Sequence, residues 1–533
     1  MTSSIPRPTP PWCQLPRAQI QKRESYTVEV SDYCSRRQQC VINQSALTDW
    51  LLRLSGVGQL HRRVTIGSLP DDVLLKIFKS FVGATEIDGS TSEEWHTLVH
   101  ICRRWRYLAF TSPRHLNLQL ICGHPRRSVK DMLDIWPELP IYIHTIGYLV
   151  GEERDDFVAA LRLNHRVSGI HLGRTSESEW ERFAPLIKQT FPVLTHLWLQ
   201  PRLLITNPFS RSFLGGFAPC LRVLYLDSIS FPTLPSLLLS ATDLVRLSYD
   251  EIPSSGYIPP HEMVTGLSTL TRLQSLSVTF RPESPAYREI RIPPPHTRTL
   301  LPALTDLQFR GVPEYMEDLV VQLDTPLLES TRVALFHQEV LEVSELSKFI
   351  HRADKLPLID QAEVTFSFDS ISVTLSQELL GGRVDPKTLW LHLNCRESDL
   401  RLSYLAQFCA SCLPTLSPFE SLHICVPYDH WWEDVIDDPD PQWLGLLHLF
   451  KTMQGLYLSE SAAPRVAQAL GGLPAERIME VLPALETVFI SRLKLLGHVK
   501  EAISEFADMR QLSGHPVFIG DWDRGAYYWD WGR

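Results

Sequence analysis

The residues most suggestive of chemistry lie in the last quarter of the chain. Cys409 and Cys412 have the spacing of half a zinc site or a redox pair, with His423 and Cys425 not far beyond. A closed structural zinc site takes four ligands, typically as two close pairs, and no second close pair follows. His423 and Cys425 alternate around Ile424 and point to one side of an extended segment, whereas Cys409 and Cys412 share one face of a helix over Leu405 to Leu413. These thiols read as reduced core residues, with no metal. Asp437, Asp438 and Asp440 are interrupted by Pro439 and Pro441 and lack the spacing and glycine of a calcium loop, so they read as a solvated acidic turn. The pairs Gly215 and Gly216, Gly381 and Gly382, and Gly471 and Gly472 are not followed by Lys-Ser/Thr, as a phosphate-cradling loop requires. Without a Gly-x-Ser-x-Gly elbow, and with its histidines dispersed, the chain offers no catalytic set. The expectation is a protein that is not an enzyme, uses no cofactor and works through its surfaces.

Composition narrows what those surfaces meet. Over 533 residues the net charge is −10, which supplies no basic field for a phosphate backbone, so no nucleic-acid partner is expected. No apolar run is long enough to cross a bilayer and the opening residues lack the apolar core of a secretory signal, so a cytoplasmic or nuclear location is expected, with no membrane partner. Residues 1–65 are basic, whereas the body is acidic. Pro6, Pro8, Pro10, Pro11 and Pro16 make the head extended or disordered, with one short helix over Ser45 to Leu54.

Order begins at Ser68. Its hydroxyl, Pro70, and the acids Asp71 and Asp72 form a helix start, and Val73, Ile77 and Phe81 recur every four residues beside Leu74 and Phe78. Thr91 and Glu94 form a capping-box pair leading through Trp95, Leu98, Val99, Cys102, Trp105 and Leu108 to a stop at Pro113. So few helices bury too little to stand alone.

The run from Leu69 to Phe78, followed by the one from Leu98 to Ala109, resembles an F-box, with Leu-Pro and Ile-Phe in the first half and Val-x-x-Cys-x-x-Trp and Leu in the second. The link over 82–91 is longer than the commonest pattern and reads as a surface loop. The resemblance implies a helical unit that docks on the Skp adaptor of a cullin-RING ubiquitin ligase. It assigns Leu69, Pro70, Val73, Leu74, Ile77 and Phe78 to the adaptor-facing ridge, with Val99, Cys102, Trp105 and Leu108 completing the unit and part of the contact. A plain helical hairpin packed on the next domain is the alternative.

The period then changes. Leu116, Leu118 and Leu120 alternate as in a half-buried strand, Ser128 to Trp136 returns to helical spacing, and Leu139 to Ile146 is strand-like again. An apolar-x-x-apolar-x-apolar core recurs from Val167, Leu194, Leu221, Leu244, Leu273 and Leu304, and again from Phe419, Met453 and Leu485, with poorer register over 327–400. Stacked strand-turn-helix units bury each apolar face against the next. This part resembles divergent leucine-rich-repeat proteins, and the whole resembles F-box proteins common in mushroom-forming fungi. The fold class expected is α/β: a small helical F-box followed by an irregular leucine-rich-repeat solenoid, parallel strands on the concave side and helices on the convex side. The boundaries are 1–65 head, 66–113 F-box, 114–512 repeats and 513–533 aromatic tail.

In each repeat core the last two apolar residues face inward, which turns the residues between and just before them onto the open sheet. That places His196, Trp198, Tyr225, Arg246, His423, Tyr457 and Phe489 at a candidate substrate face, unless the tail with Trp522, Tyr527, Tyr528, Trp529 and Trp531 folds over it. The resemblance implies a substrate receptor in an SCF-type ligase, binding a protein whose identity the residues do not name. An adaptor-binding scaffold without degradation and a plain repeat interaction protein are the alternatives.

Overall fold

The computed structural model describes residues 66–83, 95–112, 116, 118–122, 133, 138–146, 152–204, 209, 211–282, 297–336, 343–353, 361–367, 370–376, 388–394, 401–412, 420–426, 442–491 and 497–522. The head with its Ser45 to Leu54 helix, the Thr91/Glu94 cap, Pro113, most of 128–136, Gly381 and Gly382, Asp437 to Asp440 and the tail from 523 lie outside them. The chain divides into two compact units. One takes in the N-terminal residues to Leu120 together with Asp131–Leu139, and the other takes in Ile121–Lys130 and Pro140 onward.

The first unit contains α1 (Asp71–Gly83), α2 (Trp95–Ile101) and α3 (Arg103–Thr111). Asp71 and Asp72 occupy the first turn of α1, where the helix dipole favours them, and Ser68 ends a short 3-10 turn ahead of it. The second helical run is divided at Cys102, whose extended backbone caps α3 and whose Sγ accepts the Trp105 N–H. Leu74, Phe78, Trp95, Val99, Trp105 and Leu108 form the core, joined by Leu116, Leu118, Leu120 and Leu139. The Phe78 and Trp105 rings meet at 4.7 Å, and Trp95 Nε1 donates to the Gln119 carbonyl. Arg104 ties the start of α1 to α3, donating to the Leu69 carbonyl at 2.5 Å and to the Asp71 carboxylate at 2.6 Å.

The second unit is an α/β repeat array. From the N-terminal end its elements run β1 (Leu120–Cys122), β2 (Ile141–Ile146), α4 (Glu152–Arg162), β3 (Val167–Thr175), α5 (Glu177–Ile187), β4 (His196–Pro201), β5 (Val223–Asp227), α6 (Leu234–Leu238), β6 (Arg246–Ile252), α7 (Pro260–Leu267) and β7 (Ser275–Phe280). Next come β8 (Thr299–Leu300), β9 (Asp306–Gly311), α8 (Pro313–Val320), β10 (Leu323–Asp324), β11 (Ser330–Leu335), α9 (Ser344–Arg352), β12 (Gln361–Phe366), β13 (Ser370–Ser376) and β14 (Thr388–Asn394). The chain continues through α10 (Arg401–Cys412), β15 (Ser421–Cys425), α11 (Gln442–Leu447), β16 (Gly455–Leu458), α12 (Ala463–Gly471), β17 (Thr487–Ser491), α13 (Gly497–Leu512) and β18 (Phe518–Trp522). Among the described residues sixteen strands form one sheet, and β8 and β10 pair separately.

Each repeat core behaves as its pattern dictates. Leu197 and Leu199, Leu224 and Leu226, and Leu247 and Tyr249 are buried, and the residues between them are not fully so. The helices form a layer in which chain neighbours touch, including α6 with α7, α7 with α8, and α11 with α12. In α5, Ser176 and Glu179 cap each other's backbone while Trp180, Phe183 and Ile187 turn inward, as their helical spacing predicts. Successive repeats are stitched by backbone bonds of 2.8–2.9 Å, from Thr195 to Ser168, Arg222 to Thr195, Val245 to Arg222, Gln274 to Val245, and Thr305 to Gln274. Where two repeats crowd, glycine is required: at Gly256 a Cβ would lie 2.5 Å from the Tyr249 hydroxyl, which bonds Phe231, Ile229 and Gly256 backbone groups.

The all-parallel expectation fails in the middle. The spatial order there is β9, β11, β14, β13, β12, β15, and β13 runs antiparallel to both of its neighbours. Ser367 and Ser370 close the β12–β13 hairpin through a 2.8 Å backbone bond. Strand alternation has the same period of two in parallel and antiparallel pairs, which is why the region reads as strands of poor register. The sheet also continues past 512, because β18 pairs parallel with β17 and so takes the first part of the aromatic tail as its last strand.

Candidate interaction surface

Across the open side of the sheet one register row runs without a break. It passes through His144, His171, Trp198, Tyr225, Ser248, Ser277, Gln308, Arg332, Trp390, Thr374, Glu363, His423, Tyr457, Phe489 and Gly520. A parallel sheet places in-register side chains about 4.8 Å apart, close to the spacing at which aromatic rings stack. At the N-terminal end His171 stacks on Trp198 with centroids 5.1 Å apart, and Trp198 stacks on Tyr225 at 3.6 Å. His196, Val223 and Arg246 form the row just before, and Arg246 is exposed. Gly169 belongs to this earlier row; a Cβ there would lie 2.2 Å from the Tyr142 ring, so its absence lets that ring lie flat.

Two residues beyond the aromatic row lies a polar one. Gln200 Nε2 donates to Asp227 at 2.9 Å, and Asp227 also accepts from the Tyr225 and Ser228 hydroxyls. Asp250, paired in register with Asp227, accepts from the hydroxyls of Ser248, Ser277 and Thr279. Glu251 draws Arg310 to 3.0 Å and Arg281 to 3.9 Å. Burial pushes the Asp250 carboxyl above the usual carboxylate range, against its three hydroxyl donors, and the Asp227 charge adds to the rise. Burial also raises Glu251 and the Tyr225 phenol, the latter further through Asp227 and Asp250. The strands end in left-handed backbone at Arg174, Ser228 and Glu251, a conformation that non-glycine residues adopt sparingly.

The C-terminal end repeats the stack under a cover. His423, Tyr457 and Phe489 stack at 4.2 and 4.9 Å, and Trp522 of β18 lies edge-on to His423 and Tyr457 at 5.5 and 5.4 Å. His423 is only 5% exposed and Cys425 3%, so neither is offered to a partner; of the tail residues expected to cover this face, Trp522 does so as part of a strand. A glycine at 520 makes room, since a Cβ would meet the Phe489 ring at 2.7 Å. Cys409 lies buried in α10, as its helical spacing implied.

Burial divides the residues assigned to the adaptor ridge. Leu69, Val73 and Ile77 are half-buried, and Pro70 and Cys102 are exposed. By contrast, Leu74 and Phe78 are fully buried and Val99, Trp105 and Leu108 nearly so: they build the unit and present nothing outward. Leu74 and Phe78 fall on the inner side of α1 because they contact Trp105 and its neighbours, a distinction that a stripe five residues wide conceals. Conversely, Ile101 is 57% and Tyr107 46% exposed, and neither was singled out from the sequence.

No protein-family model and no curated protein matches the chain. Among solved structures it is similar to the leucine-rich repeat-containing protein LegL7 from Legionella pneumophila, at 12% identity and a TM-score of 0.22, over 73% of this chain and 98% of that one. The repeat architecture itself rests on the strand register and helix layer described above. No described helix is long and apolar enough to cross a membrane.

Proposed function

We propose that the chain is the substrate-recognition subunit of an SCF-type cullin-RING ubiquitin ligase, its helical unit docking on the Skp adaptor as an F-box and its repeats holding a protein substrate. The observation that carries this reading is the helical unit's division of labour. Residues in the F-box-like pattern supply its small core, while Pro70, Ile101, Cys102 and Tyr107 remain exposed and Leu69, Val73 and Ile77 half-exposed. Apolar side chains left exposed around so small a core are candidates for an interaction surface. Arg104 holds the Leu69 carbonyl and Asp71, which fixes the Leu69–Pro70 corner for contact. The chain performs no bond-making on this reading, needs no cofactor and acts in the cytoplasm or nucleus. It contributes proximity, raising the effective concentration of the target's lysines at the conjugating enzyme.

Co-expression with the adaptor tests the reading. The wild-type chain should capture adaptor, and Leu69→Ala with Pro70→Ala should weaken capture by about 2–4 kcal/mol while costing the half-buried Leu69 site only about 1 kcal/mol in stability, so that the helical unit stays folded. Trp105→Ala should lose capture by unfolding the unit, at about 3–5 kcal/mol. A wild-type chain that captures no adaptor sinks the proposal and leaves a repeat interaction protein. Capture without ubiquitin transfer to any bound partner leaves an adaptor-binding scaffold.

A further inference from the structure

The open face of the sheet changes character at β6. The aromatic row ends at Tyr225, and its next positions are Ser248, Ser277 and Gln308, before the row reaches Arg332. A strip of shorter side chains therefore crosses β6, β7 and β9, with the Tyr225 ring as one wall. At the end of the strip toward the polar row stand Asp227 and Asp250. Among the described residues every hydrogen-bond donor to either carboxylate is uncharged, and Arg281 and Arg310 are engaged by Glu251. At the other end Arg246 is exposed and forms no ion pair among the described residues, with Arg222 and His196 beside it.

Along β6 the face thus reverses sign from Arg246 to Asp250, whereas β9 carries the opposite order, with Asp306 in the Arg246 row and Arg310, held by Glu251, in register with Thr279, so the charge order read by a ligand is that of β6. Arg246 and Asp250 are four residues apart on β6, about 13 Å at strand rise. A polyamine satisfies only the acidic end and a phosphate backbone only the basic one, whereas a polypeptide can carry both signs at that spacing. We propose that the strip holds an extended protein segment presenting Lys or Arg to Asp227 and Asp250 and, about four residues away, Asp or Glu to Arg246. The stem of the basic side chain lies against the Tyr225 ring, with Trp198 stacked behind it, an arrangement that favours a cation at an aromatic face. A bound cation also offsets the burial that disfavours the Asp250 charge. This deepens the receptor reading and rests on it for the occupant being a protein.

The test uses the full chain and four pools of fluorescein-labelled dodecapeptides, random except at two positions four apart fixed as Arg/Glu, Arg/Gln, Gln/Glu or Gln/Gln. The Arg/Glu pool should be retained about tenfold better than Gln/Gln at low salt, with the advantage shrinking as salt rises. Asp227→Asn should remove the preference for Arg, and Arg246→Gln the preference for Glu. Ser248→Arg replaces one of the hydroxyl donors to Asp250 with a competing cation that fills the strip, and should lose the Arg preference while keeping the Glu preference, which a folding defect would not do. Equal retention of all pools, an Arg preference that survives both Asp227→Asn and Ser248→Arg, or spermine competing as well as an unlabelled Arg/Glu peptide overturns the proposal. Adaptor capture by the same preparations separates the two readings. Peptide preference without adaptor capture overturns the ligase reading alone, and adaptor capture with equal pools overturns this one alone.

Discussion

The aromatic stack over β3 to β5 and the one over β15 to β17 occupy the same register row of the same sheet, yet they stand in different surroundings. Trp198 and Tyr225 are flanked by a charged row and a strip of short side chains, whereas His423 and Tyr457 lie under the edge of Trp522. The difference teaches that an outward-facing aromatic on a repeat sheet is a candidate contact only where the array continues past it without a cover. Near its last strand a ring of the same row, His423, is buried beneath the edge of Trp522.

Substitutions can break that comparison. The largest loss should come from Tyr225→Ala, which removes a half-buried ring stacked on Trp198 and a hydroxyl bonded to Asp227 and should cost about 3 kcal/mol in denaturant unfolding, against about 2 kcal/mol for Tyr457→Ala, a half-buried ring at the edge of Trp522. A larger loss at Tyr457 would contradict that order. Next, Gly169→Ala forces the Tyr142 ring aside and should cost about 2 kcal/mol, more than Gly520→Ala, whose clash with Phe489 can relax at the final strand. A thermal-melt series in the reverse order would contradict the packing described. Trp522→Ala should cost about 1–2 kcal/mol, and its clearer signature is that His423 gains reactivity toward diethyl pyrocarbonate. Unchanged labelling would mean that some other group covers the stack.

The smallest effect is one of pH. Burial, with Arg222 and Arg246, holds His196 below its usual 6.5, so the folded chain takes up that proton less readily than the unfolded one. Its contribution to stability is complete above 6.5 and declines as pH falls through that value toward the lowered one. His196→Gln should flatten this part of the stability–pH curve; a slope identical to wild type would place the titration elsewhere.

Much of this face was legible in the residues because Leu-x-x-Leu-x-Leu states which side chains point inward, and Trp198, Tyr225 and Tyr457 followed from it. Gln200, Asp227 and Asp250 carried the same signal one step further, at the second residue past Trp198, Tyr225 and Ser248, and were missed by stopping at the last leucine. The cover over His423 was not legible, since it depends on a strand beyond the last recognisable repeat core. Nor was the reversal at β13: Ile371, Val373 and Leu375 alternate as any strand would, and direction is set by which neighbours are free to pair. In the helical unit the apolar pattern marked helical positions but could not divide Leu74 and Phe78 from Pro70, because facing inward or outward is a matter of rotation within a broad apolar stripe.

The reversed strand order has a consequence for how the chain is made. Along the first repeats each strand meets a neighbour from the next repeat, as Gly169 meets His196 and Leu197 meets Leu224. At β11 that stepwise growth halts, for Thr331 pairs with Leu389, and β12 through β14 must be synthesised before the free edge of β11 is closed. At ribosomal speeds the edge stays open for on the order of 3–12 s. During that interval a nascent chain carries a strand with one open edge and with Val333 and Leu335 among its apolar residues, a point at which a temporary companion at the exit of the ribosome would protect it most.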